Sequence, residues 1–228
     1  MEINILNWRV RIERVIFEEG KLADMYDQAA GRWSRSIQRM GYLHAYDRLF
    51  RGLYNDGTLA ELPATASVLD AGIGTGELSA ALVRRQPGTL LAGIDISESM
   101  IATVRERLKG DFRCGTLAAL PYPDESFDLV MSAHALEHMS APDTGIQELM
   151  RVLKPGGQFM IVATRQCPMT AVLSLRWNFK PMSQSFVADQ LTSNGAVSVS
   201  VTSLMPRTNL AYMSIVYSGR KGDITFQA

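Results

Sequence analysis

A glycine-rich stretch at residues 67–77 constrains the fold of this chain more than any other segment. An apolar run leads into three alternating glycines, Gly72, Gly74 and Gly76, and a helical pattern begins at Leu78. Because glycine adopts positive backbone φ angles and has no side chain, such a turn lets the backbone approach a ligand closely. The stretch therefore predicts a strand, a tight turn that binds a nucleotide-type cofactor, and a helix.

A dinucleotide site is the first alternative for this turn, and the spacing of the glycines argues against it. The dinucleotide fingerprint requires its third glycine one position further along, where this chain has Glu77. A carboxylate in the first turn of the helix suits the helix dipole but repels the phosphates of a dinucleotide. The turn therefore favours a ligand without phosphate, and it disfavours an NAD-linked oxidoreductase.

The composition is that of one globular domain with room for an added subdomain. The chain has 228 residues, of which 46% are hydrophobic and 20% are charged, so it can bury a full core. Lys plus Arg and Asp plus Glu number 23 each, and this balance argues against broad attraction to nucleic acid. Cys114, Cys167 and the three histidines show no metal-ligand spacing, so we expect no zinc or iron site.

Two features of the sequence predict a cytoplasmic protein. Residues 1–20 carry Arg9, Arg11 and Glu13 among their apolar positions, so they lack the uncharged core of a signal peptide. No apolar run approaches the roughly 20 residues that a membrane-spanning helix needs. We therefore expect a cytoplasmic location and reduced cysteines.

The first quarter of the chain reads mainly as helices. Apolar positions at three- and four-residue steps predict amphipathic helices over residues 22–40 and 43–54. Residues 8–12 alternate as in a strand, whereas residues 12–16 also suit a helix, and both interpretations stay open there. We take residues 1–62 as an N-terminal helical lid.

From residue 63 onward, short apolar runs alternate with helical patterns, as in a parallel sheet that is covered on both faces. The predicted strands are residues 68–71, 90–94, 112–114, 127–131, 159–163, 197–201 and 210–217. Helices are predicted over residues 78–85, after an N-cap at Ser97, around residues 146–153 before a turn at Pro155-Gly156-Gly157, and over residues 183–193. We take residues 63–228 as one α/β core domain.

The glycine turn, with Asp70 at the end of its strand, resembles motif I of the class I S-adenosylmethionine (SAM) dependent methyltransferases. Residues 93–100, 120–130 and 148–157 resemble three later motifs of the family in the same order. The motifs are of the small-molecule type and are similar to those of ubiquinone and menaquinone methyltransferases. The resemblance implies a Rossmann-like fold whose seven-stranded sheet has the order 3-2-1-4-5-7-6, with the last strand antiparallel and a hairpin at residues 206–209.

The resemblance also implies that SAM is the cofactor and S-adenosylhomocysteine (SAH) the product. Asp95 is placed to accept hydrogen bonds from the ribose hydroxyls, or alternatively only to interact with the dipole of the next helix. Ile96 would pack on the adenine, and Met100 either lines the same wall or is a plain core residue. Thr116 stands where the family often has an acid for the adenine amino group. The predicted cofactor residues are Asp70, Gly72, Gly74, Gly76, Asp95, Ile96, Met100, Thr116, Leu117, Ser132 and Tyr26.

His134 and His138 are the candidate catalytic residues. They lie with Glu137 in the loop after the fourth strand, which is at the ligand-bearing end of such a sheet. Alignment of nucleophile, methyl group and sulfur can supply much of the acceleration of an in-line displacement, so a base is optional. A hydroxyl or a protonated amine would gain from a base. Alternatively, both histidines only hold the loop by hydrogen bonds.

Three aromatic residues are candidates for the substrate site. Trp33 lies with Tyr26 in a segment that resembles the lid of many small-molecule methyltransferases, although both also suit a helix core. Trp177 and Phe179 follow the fifth strand, where they either wall the acceptor pocket or pin the loop.

The leading interpretation is a SAM-dependent methyltransferase that acts by in-line displacement on an O or N nucleophile of a small molecule. A basic stripe of Arg32, Arg35 and Arg39 beside apolar residues is either a solvated surface or a sign of a lipid headgroup or quinone methyltransferase at a membrane. A non-catalytic SAM-binding regulatory protein is the alternative from another class. We expect no nucleic acid partner, and a monomer or a homodimer.

Overall fold

The computed structural model describes residues 2–5, 8–11, 19–59, 62–167, 170, 174, 179–205 and 213–223. Within these ranges the strands are β1 (Glu2–Ile5), β2 (Trp8–Arg11), β3 (Ser67–Ala71), β4 (Leu90–Asp95), β5 (Asp111–Cys114), β6 (Phe127–Ala133), β7 (Leu153–Thr164), β8 (Ala196–Ser203) and β9 (Ser214–Lys221). The helices are α1 (Glu19–Arg39), α2 (Tyr42–Asn55), α3 (Glu77–Val83), α4 (Glu98–Arg107), α5 (Pro142–Val152) and α6 (Gln184–Ser193).

Seven strands form one mixed sheet in the order β5-β4-β3-β6-β7-β9-β8. The first five are parallel to their neighbours, and β9 is antiparallel to both β7 and β8. Numbered from β3, this is the order 3-2-1-4-5-7-6, so the expected Rossmann-like α/β fold and its antiparallel last strand are confirmed. The hairpin predicted at residues 206–209 lies outside the described residues.

The N-terminal segment is not wholly helical, because β1 and β2 pair with each other as a separate antiparallel ribbon. The strand interpretation is therefore correct for residues 8–11. Residues 12–18 lie outside the described part of the chain. The two helices expected next are present as α1 and α2, and Gly41 between them has a positive φ of 82°.

The two faces of the sheet bury different helices. Along β6, Leu129 and Met131 pack on the side of α2, α3 and α4, whereas Val130 packs on the side of α5 and α6. This alternation follows from the two-residue repeat of a strand, and both faces are apolar because both are covered. Full burial of each such side chain contributes about 1.5–3 kcal/mol.

The start of β7 differs from the sequence prediction. The helix α5 ends at Val152 and the strand begins at Leu153, so the predicted turn at Pro155-Gly156-Gly157 lies inside a strand with a register shift opposite β6. Gly156 adopts a positive φ of 69° there. Lys154 also lies in this strand, and its Nζ donates to Asp128 Oδ1 at 2.7 Å. The N-cap prediction is confirmed, since Ser97 Oγ accepts from the backbone N–H of Met100.

Gly76→Ala is expected to destabilise the protein by about 1–3 kcal/mol, because a φ of 83° strains an alanine at this position. Its Cβ would also lie 2.7 Å from Val104 Cγ2 on α4. Gly52→Ala in the middle of α2 is the matched control, since nothing lies within 4 Å of its Cβ and alanine favours a helix. Urea unfolding measures both variants. Equal midpoints would contradict the close packing of α3 on α4.

Candidate active site

The glycine turn closes onto the ends of two neighbouring strands. The backbone N–H groups of Gly72 and Ile73 both donate to the carbonyl oxygen of Ile94, at 2.8 and 3.0 Å. The N–H of Gly74 donates to Asp95 Oδ2 at 2.8 Å. Gly72 and Gly74 have positive φ angles of 78° and 54°, which explains why the turn needs glycine.

A cavity of about 260 Å³ lies beside this turn, and its walls come from the ends of β3 and β4, from the loop after β6, and from α1 and α2. The sequence-predicted residues that line it are Tyr26, Trp33, Asp70, Gly72, Gly74, Asp95, Ile96, Met100, Thr116, Leu117, His134 and His138. The fold therefore brings together residues predicted for the cofactor, the acceptor and catalysis.

Three predicted residues do not line this cavity. Gly76 faces α4, where a Cβ would meet Val104. Ser132 is buried in β6, and its Oγ has no hydrogen-bond partner among the residues that the structure describes. Phe179 is buried with its ring centroid 6.1 Å from that of His138, a contact that suits the pinning of the loop. Trp177 lies outside the described residues.

Two buried carboxyl groups face the cavity from the ends of β3 and β4. Asp70 is 1% exposed and accepts a hydrogen bond from Ser79 Oγ at 2.6 Å. Burial raises the pKa of Asp70 to about 7, and the charge of Asp95 adds to the rise. Burial also raises the pKa of Asp95, against the hydrogen bonds that it accepts from the N–H groups of Ser97 and Gly74. Neither carboxyl group forms an ion pair with a side chain in the described part of the chain.

An apolar wall with one hydroxyl group follows Asp95 around the cavity. Ile96, Met100 and Leu117 line it, and Met100, in the first turn of α4, is only 1% exposed. The two interpretations of Met100 therefore describe the same placement. Thr116 Oγ1 accepts a hydrogen bond from the backbone N–H of Ala118 at 3.1 Å. The Thr116 hydroxyl, which stands where the family often has an acid, thus stabilises the loop to which Thr116 belongs.

Glu77 has a structural role that was not predicted from the sequence. Its carboxylate is 5% exposed and accepts hydrogen bonds from Ser34 Oγ on α1 at 2.7 Å, from Thr75 Oγ1, and from Arg107 Nη1 on α4 at 2.8 Å. Although burial acts to raise it, these hydrogen bonds hold the pKa of Glu77 below its usual value. Glu77 therefore ties the glycine turn to two helices while lining the cavity.

Polar contacts hold α1 over the cavity. Asp27 accepts hydrogen bonds from Ser97 Oγ at 2.5 Å and from the Ser99 N–H at 3.1 Å, and the bond from Ser97 lowers the pKa of Asp27. Tyr26 OH and His138 Nε2 are 2.9 Å apart, and the ring of Trp33 packs edge-on against Tyr26 at 5.4 Å. The predicted lid helix thus contacts both the N-terminus of α4 and the loop after β6.

His134 is held on both sides by protein groups. Its Nδ1 lies 3.1 Å from Glu137 Oε1 and its Nε2 lies 3.2 Å from Ser214 Oγ, which in turn contacts Tyr42 OH at 3.0 Å. Glu137 is buried, yet the charge of His134 and its hydrogen bond keep the pKa of Glu137 below its usual value. An ionised Glu137 accepts from Nδ1–H of His134, and Ser214 Oγ contacts the opposite side of the ring at Nε2.

Sequence reasoning missed the outer members of this network. Ser214 is 80 positions and Thr164 is 30 positions from His134, and no local pattern links them. The only local signal is the spacing of His134 and Glu137, which are adjacent across a short 3-10 turn at Leu136–His138. His134 also has a positive φ of 56°, which is unusual for a residue with a side chain.

Among the described residues, no group of three or more His, Cys, Asp or Glu side chains is arranged to hold a metal ion. None of the described helices has both the length and the apolar character needed to span a membrane.

Sequences similar to this chain include several methyltransferases. Residues 69–161 match the family described as a methyltransferase domain. A demethylmenaquinone methyltransferase from Clavibacter sepedonicus is 35% identical over 147 residues, which cover 62% of this chain and 57% of the relative. The ubiquinone/menaquinone biosynthesis C-methyltransferase UbiE from Geobacter sulfurreducens is 34% identical over 162 residues, covering 68% and 62%. The matched region thus spans about three-fifths of the length of these relatives.

The fold agrees with these matches. Magnesium protoporphyrin IX methyltransferase from Synechocystis PCC 6803, solved with bound SAM, superposes with a TM-score of 0.71 at 20% identity, over 92% of this chain and 100% of that one. The shared sheet order, the glycine turn with Asp70 and Asp95, and the matched domain lead to one assignment. Residues 69–161 form a methyltransferase domain, and the fold around them is that of the class I SAM-dependent methyltransferases.

Proposed function

We propose that this protein transfers a methyl group from SAM to a small-molecule acceptor. The observation that carries the proposal is the pair of buried carboxyl groups, Asp70 and Asp95, which line the cavity without a cationic partner among the described side chains. SAM brings a sulfonium, an ammonium group and two ribose hydroxyls, and each of these stabilises a nearby carboxylate. The two carboxyl groups of the cavity, which can accept hydrogen bonds and attract positive charge, therefore fit this cofactor.

Each part of the cofactor has a group to receive it. Asp95 would accept from the ribose hydroxyls, and Asp70 would lie toward the ammonium group of the methionine part. A Cβ at Gly72 would lie 2.2 Å from Ala135 Cβ, so the glycine turn packs directly against the loop after β6. Because Gly72 has no side chain, its backbone would face the methionine part of SAM. Ile96 and Leu117 would hold the adenine between apolar surfaces, with its amino group bound by backbone because Thr116 is engaged elsewhere.

The bound cofactor supplies an activated methyl group on its sulfonium, and the chain aligns the acceptor and excludes water. The helix α1 covers the cavity through Tyr26 and Trp33, which suits a lid that closes over both ligands. Alignment at near-attack distance is then the main contribution to the rate of an in-line displacement.

The apolar and aromatic walls favour an acceptor with an apolar body. Leu22, Trp33 and Ile37 of α1 line the cavity, together with Met139 of the loop after β6. Our first choice is an O or N nucleophile of a metabolite. A ring carbon of a quinone-type molecule is the second candidate, because relatives of this chain bear the names of menaquinone and ubiquinone methyltransferases.

If the acceptor must lose a proton, we assign that role to His138 rather than His134. Both ring nitrogens of His134 face protein groups, Glu137 and Ser214. His138 lines the cavity beside the Tyr26 hydroxyl, which also lines it. His134 then acts as a positioning residue for the loop.

Three further expectations from the sequence stay predictions: a cytoplasmic location, a monomer or homodimer, and no contact with nucleic acid. Action at a membrane surface is the minor alternative. The exposed Arg35 and Arg39 on α1 support it, and vesicle co-sedimentation at low salt tests it. A SAM-binding regulatory protein without activity would bind the cofactor but methylate no acceptor.

Calorimetric titration with SAM and SAH is expected to detect binding of both. Asp95→Asn should weaken each at least tenfold, because a charge-assisted hydrogen bond is worth about 1.5–3 kcal/mol and the amide loses one acceptor. Asp189→Asn on the exposed surface of α6 is the control and should bind as the wild type does. Absence of binding at millimolar SAM and SAH would refute the proposed function.

Asp70→Asn is expected to stabilise the ligand-free protein, and more so at pH 8 than at pH 5. The pKa of Asp70 is raised to about 7 in the folded state from an ordinary 3.8. The unfolded chain therefore releases this proton first, and stability falls as the pH rises from about 4 to 7. Each pKa unit corresponds to about 1.4 kcal/mol, and asparagine removes this penalty. Urea unfolding at both pH values measures it, and an equal effect at the two would contradict the assignment.

His138→Gln is expected to lower kcat at least tenfold while the Kd for SAM changes less than twofold, as general base catalysis contributes on the order of 10²-fold or more. His134→Gln should act mainly on stability. It should lower the melting temperature, because it disrupts the bonds to Glu137 and Ser214, and it should have little effect on kcat. Transfer of a labelled methyl group from SAM to a panel of phenols, amines and hydroquinones provides the assay. Unchanged turnover in His138→Gln would remove it as the base.

A further inference from the structure

Tyr46 of α2 was not identified from the sequence, and its side chain forms part of the cavity wall. It is only 4% exposed. Tyr42 precedes it by one helical turn on the same face of α2, with the two ring centroids 5.8 Å apart. The Tyr42 hydroxyl contacts Ser214 Oγ, whereas the Tyr46 hydroxyl makes no hydrogen bond with any residue in the described part of the chain.

The Tyr46 hydroxyl is not among the buried unpartnered atoms of the described residues, so it opens to the cavity, where a ligand oxygen can accept its hydrogen. Burial raises the pKa of Tyr46 well above its usual value, and the neighbouring Tyr42, Asp70, Glu77 and Glu137 add to the rise. The phenol is therefore protonated at any physiological pH, and it acts toward a ligand as a hydrogen-bond donor.

The neighbours of Tyr46 place it between the glycine turn and the loop after β6. Tyr42, one helical turn earlier, packs edge-on against His134 with ring centroids 5.2 Å apart, and Tyr46 shares a buried cluster with Ile73 and Leu78. Asp70 and Glu77 act on it from the glycine turn, and Glu137 acts from behind His134. The ribose carboxylate Asp95 acts instead on Tyr26. Tyr46 thus lies between the turn expected to hold the methionine part of SAM and the loop that carries the candidate base.

These carboxyl groups also select the kind of oxygen that Tyr46 can bind. An anionic oxygen at this position would be repelled by Glu137, which is ionised because its pKa is held low, whereas the ion pair with Arg107 offsets the charge of Glu77. An uncharged hydroxyl or carbonyl oxygen accepts the phenol hydrogen without that cost. A carboxylate, including the one on the methionine part of SAM, is accordingly a poor partner.

We propose that Tyr46 donates a hydrogen bond to an uncharged oxygen of the methyl acceptor and so selects acceptors that combine such an oxygen with an apolar body. The proposal rests on the proposed function, since it assumes that the rest of the cavity holds SAM. It assigns specificity, not proton transfer, to Tyr46.

The test compares the affinities of 1-tetralone and tetralin, which share a carbon skeleton and differ in one carbonyl oxygen. Each is titrated into the SAH-saturated protein and into the ligand-free protein. The wild type should bind tetralone at least fivefold more tightly than tetralin. Tyr46→Phe should reduce this preference below twofold, with the Kd for SAM and SAH changed less than twofold and the melting temperature not lowered. Tyr54→Phe is the control, because its hydroxyl donates to Gln86 Oε1 outside the cavity, and it should keep the full preference.

The first two of the following outcomes would overturn the proposal for Tyr46. No preference in the wild type, or no binding of either probe, excludes an acceptor of this class. Loss of SAH affinity in Tyr46→Phe with an unchanged tetralone preference would make Tyr46 a cofactor residue. Failure of the wild type to bind SAM or SAH defeats the proposed function instead. In that case the comparison in the ligand-free protein still decides whether Tyr46 donates to an uncharged oxygen.

Discussion

The hydrogen bond from the Gly74 N–H to the Asp95 carboxylate joins the parts on which the site depends. The same carboxylate accepts from the N–H of Ser97 at the start of α4. Ser97 caps α4 and donates to Asp27, which belongs to α1. A single buried carboxylate thus fixes the glycine turn against β4 and indirectly positions α1. Because the bond uses only part of the acceptor capacity of Asp95, lone pairs remain for ligand hydroxyls.

The residues that could be predicted from the sequence are those whose role depends on local backbone. Gly72 and Gly74 need positive φ angles, Ser97 needs only the next turn of helix, and Asp95 needs only its place at the end of a strand. The sheet order came from the resemblance of ordered motifs, because strand alternation alone does not fix which strands are neighbours. The turn predicted at Pro155-Gly156-Gly157 was wrong for a local reason: Pro and Gly suggest a turn between the helix and the strand, whereas β7 follows α5 directly.

The part of the site that could not be predicted depends on long-range contacts. Tyr42 and Ser214 are 172 positions apart, and Tyr46 enters the cavity only because α2 packs across the sheet beside α3. Glu77 was correctly used against a dinucleotide, yet its three donors come from the turn, from α1 and from α4. No pattern within a window of residues contains that information, since the partners are set by how the helices cross.

The attachment of α1 explains how a covered cavity can still exchange its ligands. Beyond the packing of Tyr26 and Trp33, α1 is attached by side-chain hydrogen bonds to Ser97, Glu77 and His138. Each such bond contributes a net of about 0.5–1.5 kcal/mol, because water replaces it on opening. The sheet core loses far more when it is opened, since its apolar side chains have no such replacement. Opening of α1 therefore breaks bonds that water can replace, but it also exposes Leu22 and Ile37, which are 7% and 8% exposed. Two of the residues that hold α1, Glu77 and His138, line the cavity, so a bound ligand and the position of α1 are physically coupled.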